Sequence, residues 1–68
     1  MSTRETYFAR QLKIANMAFE KAQRARSKMD KKLHANVGLE SINRITDMSW
    51  RHDEVLELAN SLRTIVRS

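Results

Sequence analysis

The chain has no cysteine and no proline, and Gly38 is the single glycine among its 68 residues. Each shortage closes a route. Without cysteine there is no disulfide staple. The two imidazoles, His34 and His52, have no thiolate beside them and cannot make up the ligand set of a structural zinc. A domain this small buries only about 60% of the surface its unfolded chain exposes. It must therefore be stabilised by regular helix packing or by self-association. The missing proline and scarce glycine favour both, because little interrupts a helix. Long apolar runs are also lacking: residues 1–10 hold none of signal-peptide length, and no stretch approaches the roughly 20 apolar residues of a membrane span. The absence of cysteine is compatible with a reducing compartment. These features predict an intracellular, soluble, cytoplasmic protein, a single domain over residues 1–68, with no cofactor and no membrane partner.

Charge is abundant and unevenly placed. Residues 1–33 carry nine cations against three acids, a net +6, whereas residues 34–68 carry four against five, a net −1. A basic half of this kind points to an acidic partner, either nucleic acid or the acidic surface of a protein.

The pattern of apolar residues is helical from the start. Ser2-Thr3-Arg4-Glu5 has the form of a capping box. After it, Phe8, Leu12, Ala15, Phe19, Ala22, Arg26, Met29 and Leu33 recur at alternating spacings of four and three, the period of a packed helical seam that only Arg26 interrupts. Tyr7, Ile14, Ala18 and Ala25 widen the apolar face on one side. Opposite it lie Arg10, Lys13, Met17, Lys21, Arg24, Lys28 and Lys31. Residues 3–33 accordingly read as one amphipathic helix, about 45 Å long at 1.5 Å per residue. His34-Ala35-Asn36-Val37-Gly38 holds the glycine and an asparagine two positions before it, residue types that tolerate the left-handed turn ending a helix. The expected turn is placed there, with His34 at the helix C-terminus. A short helical segment over residues 39–47 follows, carrying Leu39, Ile42 and Ile45. Ser49 is the candidate N-cap of a last helix in which Met48, His52, Val55, Ala59, Leu62 and Val66 repeat the seam, flanked by Leu58 and Ile65. The expected fold is all-α: a helical hairpin of one long N-terminal helix packed antiparallel on two shorter ones, associating into a homodimer to cover spare apolar flanks.

No enzyme motif accompanies this pattern. There is no glycine-rich phosphate loop, no cysteine nucleophile and no H-E-x-x-H helix. His52, Asp53 and Glu54 are consecutive, so on a helix they point in different directions and do not converge as a catalytic group. The reading is a non-enzyme with no metal and no small-molecule substrate. A helix-turn-helix over residues 39–47 and 49 onward would present Trp50, Arg51, Asn60 and Arg63, but Asp53, Glu54 and Glu57 would meet the same phosphates, and no tight glycine turn separates the two helices.

Two surfaces remain. The basic face, Arg10, Lys13, Lys21, Arg24, Lys28 and Lys31, could follow a phosphate backbone; its plainer reading is a solvated face, since lysine and arginine form helices well. Trp50 lies off the last seam beside Arg51, a pairing typical of interface anchors. With Tyr7, Ile14 and Met17 it marks a candidate protein interface. Taken whole, this small, cysteine-free helical chain without enzyme motifs resembles the accessory proteins encoded in the early regions of lambda-type temperate bacteriophages. That resemblance implies a protein of the host cytoplasm that modifies host or phage regulation by protein contacts. The expected function is therefore regulatory protein–protein binding, with nucleic-acid binding through the basic face as the alternative.

Overall fold

The periodicity from Phe8 to Ala22 builds a first helix, α1 (Thr3–Arg24), that is shorter than its seam suggested. The computed structural model describes residues 3–45 and 53–68, and within them α1 is followed by α2 (Lys28–Arg44) and α3 (Asp53–Arg67). The all-helical class and the packing of one longer helix on two shorter ones hold. The position of the first turn does not. It lies at residues 25–27, not at 34–38, and of the expected short helix over 39–47 residues 39–44 are the last part of α2, while 46 and 47 lie outside the described residues.

Local chemistry explains the break. Ser27 is extended (φ −103°, ψ 151°), and its side chain accepts a hydrogen bond of 3.1 Å from the amide of Asp30. Asp30 in turn places a negative charge in the first turn of α2, where the helix dipole favours it. On the other side of the break, the Ala25 amide still bonds to the Lys21 carbonyl at 2.9 Å and completes α1. Ser27-Lys28-Met29-Asp30 is thus a helix start embedded in a pattern whose period, broken only by Arg26, resumes at Met29 and Leu33.

The turn also changes the phase. At about 100° per residue, the buried set of α2, Ala35, Gly38, Ser41 and Ile42, would lie roughly opposite the buried set of α1 on one continuous helix. Both can face the same core only if the chain is interrupted between them. Met29 and Leu33, which fit the first seam by spacing, are 74% and 57% exposed on the outer side of α2.

Helix directions follow from the contacts. Arg44 Nη1 donates to the side-chain oxygen of Gln11 at 3.4 Å, and Gly38 faces Ala18, so α2 runs antiparallel to α1. One cleft is lined by Phe19 and Ala22 near the end of α1, Lys31 near the start of α2, and Thr64 and Ile65 near the end of α3. Hence α3 runs back against α2 and in the same direction as α1. The expectation that α1 would be antiparallel to both other helices is corrected on this point. The bundle measures 41 × 18 × 14 Å.

Gly38 is buried in the middle of α2 without a positive φ, so it serves close approach and not a turn. A Cβ there would stand 2.9 Å from Leu62 Cδ1 and 3.3 Å from Ala18 Cβ. Ala15, Ala18 and Ala22 on α1 are likewise buried, and small side chains on both helices let their backbones come near. The larger apolar groups come from farther along the chain. Ile42, Val55, Leu58 and Leu62 join Ala15, Ala35 and Ala59 in one cluster, with Phe8, Leu12, Phe19, Leu39, Ile65 and Val66 packed around it. The seam expected for the last helix is thereby observed from Val55 to Val66. Met48, Ser49 and His52 lie outside the described residues, as does Ser2 of the first capping box.

Candidate functional site

Of the residues expected to meet a protein partner, the structure brings Ile14 and Met17 together. They lie one helical turn apart on α1 and form one wall of a groove with Ala18 and Lys21, while His34 and Val37 of α2 form the other. Ile14 is half-buried, and Met17 and Val37 are 47% and 48% exposed. The groove has a volume of about 360 Å³ and is partly open to solvent. That is near the lower end of the roughly 300–1,000 Å³ typical of small-molecule pockets, and it suits one or two apolar side chains from a docked surface. Tyr7 is exposed two turns nearer the start of α1. Trp50 and Arg51 lie outside the described residues.

Sequence reasoning missed the α2 side of this surface. Met29, Leu33 and Val37 follow one another at intervals of four on the outer side of α2, so their side chains are neighbours along one helix face. A shallow depression beside them is lined by Lys28, Met29, Lys32, Leu33 and Asn36. The available signal was Ser27-x-x-Asp30, which restarts the helix and frees the second half of the seam from the phase of the first. His34, read as a residue of the turn, instead lies within α2 against the groove.

The basic residues are rearranged by the same turn. Arg10, Lys13, Lys21 and Arg24 are all exposed along α1, but the line ends with that helix after about 21 Å at 1.5 Å per residue. Lys28 and Lys31 stand on α2, which doubles back; Lys28 is exposed and Lys31 half-buried beside Phe19 and Gln23. The result is a basic end to the bundle. Lys21 and Arg24 close α1, Arg26 sits in the turn, Lys28, Lys31 and Lys32 open α2, and Arg63 and Arg67 close α3 at the same end. Glu20 and Asp30 are the acids nearest in the chain to the cations of α1, the turn and α2. At the opposite end Asp53, Glu54 and Glu57 are exposed on α3, with Leu56 between them.

Two chemical limits complete the geometry. Among the described residues no three His, Asp or Glu side chains come together to hold a metal ion, and no helix is long and apolar enough to cross a membrane. No protein-family model, curated protein or solved structure matches the chain.

Proposed function

We propose that this chain is a small, non-enzymatic regulatory protein that acts by binding another protein through the outer face of α1 and α2. One observation carries the reading. Met17, Met29, Leu33 and Val37 are exposed on that face, beside a groove that the half-buried Ile14 deepens. Single exposed apolar residues are ordinary, but a contiguous set beside a groove is a mark of interaction surfaces. The phage-type regulatory role that the chain resembles belongs to the same proposal.

The nucleic-acid alternative draws on the exposed cations of α1 and the basic end. It accounts for the charge but gives the apolar face no role. A second copy is a third candidate for covering that face, so the expected homodimer competes with a foreign partner for it.

The test is cross-linked capture from the native host, run in parallel on the natural chain and on a Met17→Glu, Val37→Glu variant. Both positions are about half exposed, so the variant is expected to keep its helical circular dichroism. The reading expects a protein held by the natural chain and lost by the variant. It fails if the natural chain captures no protein and instead binds random duplex DNA, with the steep salt dependence that phosphate contacts impose.

A further inference from the structure

We infer that the occupant of the α1–α2 groove is an acidic amphipathic helix of a partner protein, its apolar side chains seated along Met17, Val37 and Leu33 and its carboxylates drawn to the basic end. This inference rests on the protein-contact reading above and narrows it.

The apolar track gives the shape. From the groove between Ile14 and Val37 it passes along α2 to Leu33 and Met29, spaced as a docked helix would present side chains at intervals of three and four. Charge gives the partner its sign. Lys21 lines the groove itself, and Lys28 and Lys32 flank the track where it reaches Met29 and Leu33. Asp30 and Glu40 are exposed acids on α2 and are outnumbered by the cations of the two helices. Like charges opposed across an interface select against the wrong partner, and opposite charges speed encounter with the right one.

The same charges weigh against a second copy as the occupant. A two-fold dimer through this face would place each copy's face on its own equivalent, opposing Lys21, Lys28 and Lys32 to cations. A second copy could instead offer Leu56 among Asp53, Glu54 and Glu57. That contact is head-to-tail and builds rings or open chains in place of a two-fold dimer.

The experiment is a titration of the isotope-labelled chain with three synthetic helical peptides, followed through its backbone amide resonances. The first peptide has leucines at positions i, i+3, i+4 and i+7 with glutamates elsewhere. The second keeps the leucines and replaces glutamate by lysine; the third keeps the glutamates and replaces leucine by alanine. The expected result is that only the first binds. It moves the amides of Ile14, Met17, Leu33 and Val37, and its affinity falls at least about tenfold as salt is raised from low to physiological strength. Met17→Glu with Val37→Glu should abolish that binding. Leu33→Gln, at a more exposed site, should weaken it severalfold while leaving the spectrum of the free chain in place.

Equal binding of the glutamate and lysine peptides would overturn the acidic assignment, and so would no binding by any of the three. Shifts confined to α3 would overturn the location. Shifts of the groove amides on concentrating the chain alone would assign the face to a second copy. The peptide outcomes leave intact the capture of a native protein by the same face, which fails by its own result; self-association through the groove would overturn both.

Discussion

Replacing Gly38 by alanine tests the architecture at the point where the sequence was most misleading. At an exposed site inside a helix this change stabilises by about 1 kcal/mol, because alanine loses less backbone freedom on folding. Here the new methyl would lie 2.9 Å and 3.1 Å from the two Cδ atoms of Leu62 and 3.3 Å from Ala18 Cβ. The Leu62 methyls are the far end of a side chain and can turn, but they turn inside a site where Leu62 is wholly buried. Ala18 can withdraw only by moving its backbone. Overpacking of this kind costs about 1–3 kcal/mol. Set against the propensity gain, a net loss of about 1 kcal/mol is expected, a fall in melting temperature of about 4–8 °C for a domain of this size. Urea unfolding followed by circular dichroism measures it, in a cycle with Leu62→Val, which deletes the crowded Cδ atoms. The double variant should recover part of the loss, with a coupling of at least about 0.5 kcal/mol. A Gly38→Ala chain that gains the full propensity term, with effects strictly additive to Leu62→Val, would show that α2 does not approach α1 and α3 at this residue.

Other consequences can be checked in the same way. Ser41 is wholly buried and its hydroxyl has no partner among the described residues, so Ser41→Ala should raise stability by about 1 kcal/mol; a loss in urea unfolding would mean that the hydroxyl is satisfied. Ser27→Ala removes the cap of α2 and should cost about 1 kcal/mol, with faster hydrogen exchange at Asp30. In a continuous helix through residue 27, the same change would stabilise instead. Replacing Lys21, Arg24 and Lys28 together by glutamine should leave the melting temperature nearly unchanged, since all three are exposed and glutamine matches their helix propensity. The variant should bind an acidic partner with a slower on-rate and a flatter salt dependence, as surface plasmon resonance would show; an unchanged on-rate would remove the basic end from the mechanism.

How far the fold was legible depended on which residues carried the information. α3 was readable because Val55, Ala59 and Leu62 keep one phase, and the structure buries all three. The first half of α1 was readable for the same reason. The turn was not, because the two signals near it disagreed. Apolar spacing from Phe8 to Leu33 is broken only at Arg26, whereas Ser27 and Asp30 mark a new beginning. Periodicity reports local phase and says nothing of whether a distant segment needs the other side of the helix, and here Ile42, Val55 and Leu62 did. Gly38 misled for a related reason. A lone glycine between two apolar segments suggests a turn, but a buried glycine can equally answer a neighbouring helix that leaves no room for a Cβ.

The candidate site was half legible, and the missing half follows from the same turn. Once α1 is interrupted, α2 no longer inherits its phase and takes the one that packs best. It has two apolar faces to offer: Ala35, Gly38 and Ile42 on one side, and the larger Met29, Leu33 and Val37 on the other. Transfer area alone, at about 25 cal/mol per Å², favours hiding the larger face. The smaller one is buried because it lets the backbones of α1 and α2 come close and admits Leu62 over Gly38. The larger set is therefore left on the surface as a consequence of close packing. Folding alone gives no reason to keep three large apolar groups in line there, with lysines at their flank. A binding surface does, because the same residues that a core would hide are those a partner can cover.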